Sequence, residues 1–121
     1  MKTLVLGHGR NYSMKDIQCS TFPVDNWYNT EYTCIDIDKD VKPDIVFNLK
    51  ERNWTFCGKN EYNLIVDTGG LAFYSSSSGY NIFFLQNICK YLQEGGTFYG
   101  WKNETWKKIN GKLAPVKYVN I

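Results

Sequence analysis

Four short apolar runs, each stopped by glycine, aspartate or asparagine, and a fifth that follows a glycine pair constrain this chain more than any other feature. Thr3-Leu4-Val5-Leu6 runs into Gly7-His8-Gly9, and Tyr32-Thr33-Cys34-Ile35 into Asp36-Ile37-Asp38. Asp44-Ile45-Val46-Phe47 ends at Asn48-Leu49, and Tyr62-Asn63-Leu64-Ile65-Val66 at Asp67-Thr68-Gly69-Gly70. Thr97-Phe98-Tyr99 follows Gly95-Gly96. Runs of this length without polar alternation suit strands covered on both faces, as in a parallel sheet.

One helix is expected over residues 79–94, where Ile82, Leu85, Ile88, Cys89 and Leu92 share a face. The serines at 75–78 are placed to cap it, and Gly95-Gly96 to end it. A second, short helix fits residues 14–19. The chain closes on a hairpin: a half-exposed strand over 104–109 with Trp106 and Ile109 inward, an Asn110-Gly111 turn, and a partner strand over 116–121. Crossovers between the second, third and fourth strands are short, so helices there are reduced to loops. The expectation is a single α/β domain over 1–121, with a mostly parallel sheet, a C-terminal antiparallel hairpin and reduced helices.

Hydrophobic residues make up 43% of the 121, enough for a real core. Tyr, Asn, Lys and Ile are in excess, the bias of an AT-rich gene, viral ones included. Formal charge is +2, so no global field points to nucleic acid or membrane. Lys102, Lys107, Lys108, Lys112 and Lys117 gather near the end, with Trp101 and Trp106 among them. They offer a weak polyanion contact, although charges on the wet side of a hairpin give the same pattern. The cysteines at 19, 34, 57 and 89 never form a close pair, so zinc is not expected; Cys34 and Cys89 read as buried small hydrophobes. With no leader-like start and no apolar span, the expected compartment is cytoplasmic, with reduced thiols and no membrane partner.

Ligands of open parallel sheets bind outside the carboxyl ends of the strands, near the switch in strand order. Here those ends carry residues suited to a nucleoside. Gly7-His8-Gly9 lets the backbone approach a ligand closely. Asp36 can accept hydrogen bonds from both ribose hydroxyls, and Asn48 can match an adenine edge. A lone Gly-x-Gly is a weak signal, Asp36 alone is commonly a solvated loop acid, and Asn48 alone commonly bonds its own backbone. His8 is equally a turn residue, and Tyr12, Tyr74 and Tyr80 line a substrate mouth or simply pack. The order in which these pieces occur is the signal.

Thr3-Leu4-Val5-Leu6-Gly7-His8-Gly9 resembles the first motif of class I, Rossmann-like S-adenosylmethionine-dependent methyltransferases, and Cys34-Ile35-Asp36-Ile37-Asp38 resembles their second. Val41-Lys42-Pro43-Asp44-Ile45-Val46 leading to Asn48-Leu49 is similar to a third-strand segment of small members. Tyr91-Leu92-Gln93-Glu94-Gly95-Gly96-Thr97-Phe98 is similar to their turn into the fifth strand. The likeness spans about residues 2–100 and is most specific over 34–49 and 91–98. It implies S-adenosylmethionine as cofactor, with Gly7, His8 and Gly9 near its methionine part, Asp36 on ribose, Ile37 on adenine, and Asn48 and Leu49 at the adenine edge. Asp67 would lie nearest the methyl group, as the catalytic residue.

The chain departs from the family in carrying Arg10 and Asn11 where a third glycine often stands, and in having no convincing helix after the first strand. Ribose methyltransferases share a Lys-Asp-Lys-Glu set, of which only Asp67 and Lys102 have counterparts; the prolines that follow the fourth strand in base amino-methyltransferases are missing. The expected function is therefore a methyltransferase-like protein of unknown acceptor. The alternatives are a catalytically inactive methyltransferase-like binding or regulatory subunit, and a different nucleotide-binding domain.

Overall fold

The computed structural model describes residues 2–7, 31–56, 60–67, 75–76, 79–100 and 105–116. Along the chain these form β1 (Lys2–Leu6), β2 (Glu31–Asp36), a 3-10 turn (Lys39–Val41), β3 (Ile45–Val46), β4 (Tyr62–Asp67), β5 (Ser75–Ser76) and β6 (Gly79–Tyr80). The helix α1 (Ile82–Tyr91), β7 (Leu92–Tyr99), β8 (Thr105–Ile109) and β9 (Lys112–Pro115) follow. Seven strands make one sheet in the order β3-β2-β1-β4-β7-β8-β9, and β5 pairs with β6 separately. The pairs from β3 to β7 are parallel, and β8 and β9 close the sheet antiparallel. The α/β class, the largely parallel sheet and the closing hairpin are as expected.

The runs of β1, of β4 from Leu64 and of β2 from Cys34 are buried on both faces, which explains why they lack alternation, whereas in the edge strand β3 Val46 is 56% exposed. Residues in register share a face and successive residues alternate. Leu4, Leu6, Ile35, Ile65 and Phe98 accordingly lie in one cluster with Phe84, Ile88 and Tyr91 of α1. Thr3, Val5, Cys34, Leu64 and Val66 alternate with them and are buried too. Asp44 strengthens the thin outer edge, where β3 pairs through only two residues. Its Oδ2 accepts the Cys34 backbone N–H at 2.8 Å, one residue before the β2–β3 ladder starts.

α1 is shorter than the expected 79–94 and starts differently. Asn81, not a serine, is its N-cap, accepting the Phe84 N–H at 2.9 Å. Its buried face runs through Phe84, Asn87, Ile88 and Tyr91, whereas Ile82 is 64% exposed. The face moved because a buried tryptophan, Trp54, packs beside Phe84 and Tyr91 and draws Asn87 inward.

Gly95-Gly96 does not end the helix either. The cap is Leu92 in extended backbone, and the glycines lie inside β7, where the pairing shifts from Tyr62↔Leu92 to Leu64↔Thr97. Two steps along β4 thus match five along β7, and Gly95 (φ +81°) takes up the excess. The carbonyls of the last turn of α1 are met from outside the helix. Lys90 O accepts from Asn60 N, and Tyr91 O from Glu61 N.

The hairpin turn is Asn110-Gly111 as expected, with φ of 52° and 75°, the left-handed pair that a two-residue turn requires. Its second strand is Lys112–Pro115 rather than 116–121, because the turn pairs Ile109 directly with Lys112. The inward residue of β8 is also corrected: Ile109 is 51% exposed, Trp106 is partly buried, and Lys108 is the buried one. Both Asn110 and Gly111 donate their backbone N–H to Glu94, at the bulge of β7. The short helix expected over 14–19 lies outside the described residues. No helix among the described residues is long and apolar enough to cross a membrane.

Candidate functional site

The strand order reverses between β1 and β4, since β2 and β3 lie to one side of β1 and β4 and β7 to the other. The carboxyl ends beside this switch belong to Leu6-Gly7, Asp36, Val46 and Asp67. Leu6 stands level with both Ile35 and Asp67. Gly7 extends the ladder by one step, donating its N–H to Ile35 O at 2.8 Å, and so sits beside Asp36. Its φ of +64° turns the chain away from the sheet in a conformation that a side chain would strain. Asp36 and Asp67 flank β1 on either side, two strand spacings or roughly 10 Å apart in backbone terms. By the pleat their side chains belong to opposite faces.

Asp36 is buried, and its Oδ1 accepts the Asp38 N–H at 3.0 Å, which folds the following turn around the carboxylate. Ile37, next to it, is 58% exposed and presents apolar surface at the strand end. Asn48 takes the turn role: its Oδ1 accepts the Lys50 N–H at 3.0 Å. Leu49 is buried in the main cluster, and its carbonyl accepts from Trp54 Nε1 at 3.1 Å. His8, Gly9, Tyr12, Tyr74, Lys102 and the cysteines at 19 and 57 lie outside the described residues.

Asp67 is only 2% exposed, and Tyr80 Oη donates to its Oδ2 at 2.6 Å. The Tyr80 ring is stacked on Phe84 (5.0 Å, 9°) and set edgewise on Phe98 (5.4 Å, 63°), so the phenol is held from two sides. Tyr80 was legible as an aromatic at the site; its pairing with Asp67, 13 residues away, was not.

A groove of ≈ 440 Å³ lies at the N-terminus of α1, lined by residues 49–52 with Asn81, Phe83 and Phe84. α1 starts at the carboxyl edge of the sheet, because it ends beside Leu92, which pairs with the first residue of β4. The groove therefore shares an edge with Gly7, Asp36 and Asp67. Arg52 and Phe83 of this groove are functional candidates that the sequence did not mark, since neither belongs to a motif.

The thiols of Cys34 and Cys89 are unpaired, the first buried and the second half-buried. Burial, with the Asp44 carboxylate nearby, pushes the Cys34 thiol up to about 12. Among the described residues no group of three or more His, Cys, Asp or Glu side chains is arranged to hold a metal ion. Of the C-terminal lysines, Lys107 and Lys112 are exposed, but Lys108 turns inward, and Lys102 and Lys117 lie outside the described residues. Neither a protein family, nor a curated protein, nor a solved structure matches the chain.

Proposed function

We propose that this chain is a Rossmann-like, methyltransferase-like domain that binds S-adenosylmethionine at the carboxyl edge of its sheet. The observation that carries the reading is the meeting of Gly7 and Asp36 beside the switch point of a sheet ordered β3-β2-β1-β4-β7. That order is the one used by doubly wound nucleotide-binding sheets, which hold their ligand at this edge. Asp36 would accept the ribose hydroxyls, and the exposed Ile37 would lie against the base. Gly7 would let the backbone come close to the rest of the ligand.

The cofactor supplies an electrophilic methyl group when bound. The part of this chain is then binding and orientation, with Asp67 and Tyr80 one strand beyond β1. Orientation alone contributes much of the rate in a displacement of this kind. Asp67 is well covered, and its carboxylate already accepts the Tyr80 hydroxyl. That cover favours the second reading, a methyltransferase-like binding or regulatory subunit without turnover. Calorimetric titration with S-adenosylmethionine and S-adenosylhomocysteine, repeated on Asp36→Ala, tests the pocket. Micromolar binding lost in the variant supports it; no heat at millimolar ligand ends the cofactor reading and leaves a binding or regulatory subunit whose partner must be found.

A further inference from the structure

We propose that the groove between residues 49–52 and the start of α1 binds a small organic anion with a flat apolar body. Under the reading above, which this inference extends, that anion is the second ligand of the carboxyl edge, beside the cofactor. The volume of ≈ 440 Å³ falls within the range of small-molecule sites. Its floor is apolar and rigid, because Leu49 and Phe84 are both buried in the main cluster. One wall is an aromatic and a guanidinium in contact, with the Arg52 Cζ 4.0 Å over the Phe83 ring. Phe83 keeps 39% of its surface open. A planar group can lie along such a wall, against carbon on one side and cation on the other.

The charge around the groove selects an anion. Lys50 and Arg52 line it against the single acid Glu51. The first turn of α1 carries no acidic residue, so nothing on the helix offsets the positive end of its dipole. Asn81 Oδ1 caps the Phe84 N–H, and the Ile82 and Phe83 amides precede any intrahelical acceptor. Phe83 with its backbone amide and Arg52 with its guanidinium thus both belong to the wall of an apolar trough at the positive end of the helix. A phosphate or a carboxylate satisfies both, and a neutral or cationic ligand satisfies neither.

The groove is also in register with the strand ends. Phe84 lines it and stacks face to face on Tyr80, whose hydroxyl holds Asp67. An occupant resting on Phe84 is one ring away from the pair at the end of β4.

The test is a titration of the folded chain, followed by amide NMR, with phenyl phosphate, benzoate, benzylamine and toluene as probes. Phenyl phosphate and benzoate are expected to shift the amides of residues 49–52 and 82–84, and benzylamine to leave them in place. Arg52→Gln is expected to weaken the anions at least tenfold, and Phe83→Ala to weaken benzoate while sparing the fold, since both side chains are exposed. Tighter binding of phenyl phosphate than of benzoate assigns the anion as a phosphate, and the reverse as a carboxylate. Equal shifts from benzylamine or toluene, or no shift with any probe at tens of millimolar, overturn the proposal. Because these probes lack ribose, an empty groove with intact S-adenosylmethionine binding separates this failure from that of the cofactor reading.

Discussion

Lys108 Nζ donates to the Leu92 carbonyl at 3.0 Å, so a lysine of β8 closes the C-terminal end of α1. The same ammonium donates to Asn60 Oδ1 at 2.7 Å, and Asn60 in turn gives its backbone N–H to Lys90 O. A cation at the negative end of a helix is favourable, and here it is 8% exposed. Hydrogen bonds to a charged group contribute about 1.5–3 kcal/mol each way. Lys108→Met keeps much of the stem and removes the donor, and is expected to cost about 2 kcal/mol in chemical denaturation. Because the acceptors are neutral oxygens, the loss should change little between low and high salt. A variant as stable as the parent refutes this role.

Two tryptophans make a matched pair for mutation. Trp54 is fully buried; its Nε1 donates to Leu49 O, its N–H goes to Asn87 Oδ1, and its carbonyl accepts from Lys90 Nζ and Tyr91 Oη. Trp106 has a buried Nε1 with no hydrogen-bond partner. Trp54→Phe leaves a buried carbonyl without its donor and opens a gap, which should cost roughly 2–4 kcal/mol. Trp106→Phe removes an orphaned donor whose burial itself costs about 1–3 kcal/mol, offsetting the lost area. It should fall within about 1 kcal/mol of the parent. Thermal unfolding of the two variants decides: similar losses would mean that the indole N–H of Trp54 contributes nothing.

How far the sequence reached follows from the range of each signal. The central strands β1 and β4 were legible because burial on both faces leaves an unbroken apolar run, and the Asn110-Gly111 turn because its geometry is local. Trp54 was not legible. It stands in a polar stretch after β3 and is buried only because its partners Phe84, Asn87 and Tyr91 arrive some 30 residues later. The helix face went astray for the same reason: periodicity alone favoured Ile82 and Leu85, while contact with Trp54 selected Phe84 and Asn87. Lys108 escaped because charge patterning reads a lysine as solvated, and only the end of α1 makes an inward one favourable. At the candidate site, Gly7 and Asp36 could be placed from their strands, whereas the Arg52–Phe83 wall depends on a loop meeting a helix.

Gly96 in the β7 bulge should not tolerate a side chain. A Cβ there would lie 2.8 Å from Gln93 O, 2.9 Å from Leu92 Cδ2 and 3.2 Å from Asn63 O, two of the three being backbone. Gly96→Ala is therefore expected to cost about 2–3 kcal/mol, at the upper end of ordinary overpacking. Gly95→Ala meets open space and bears only the strain of φ +81°, about 1–2 kcal/mol. If Gly95→Ala were the more damaging in urea melts, the bulge would be governed by backbone conformation and not by clearance.

Cys34 makes stability fall at alkaline pH. Its thiol is raised from 9.0 to about 12 in the fold, by burial first and by Asp44 second. In the unfolded chain the thiol loses its proton near 9, while the native chain keeps it. Between about pH 9 and 12 the unfolded state therefore binds fewer protons, and stability declines as pH rises through that window. Below pH 9 both states hold the proton and the residue adds no slope. Cys34→Val removes the thiol and keeps an apolar side chain, so its urea midpoint should drop less steeply than the parent's from pH 9 to 10.5. The same protonation makes Cys34 inert, so alkylating reagents at pH 7.5 should leave it unmodified in the folded chain and label it in urea. Labelling of native Cys34 at neutral pH would show that the β2–β3 edge opens, and that the two-residue ladder with Asp44 does not hold the strand closed.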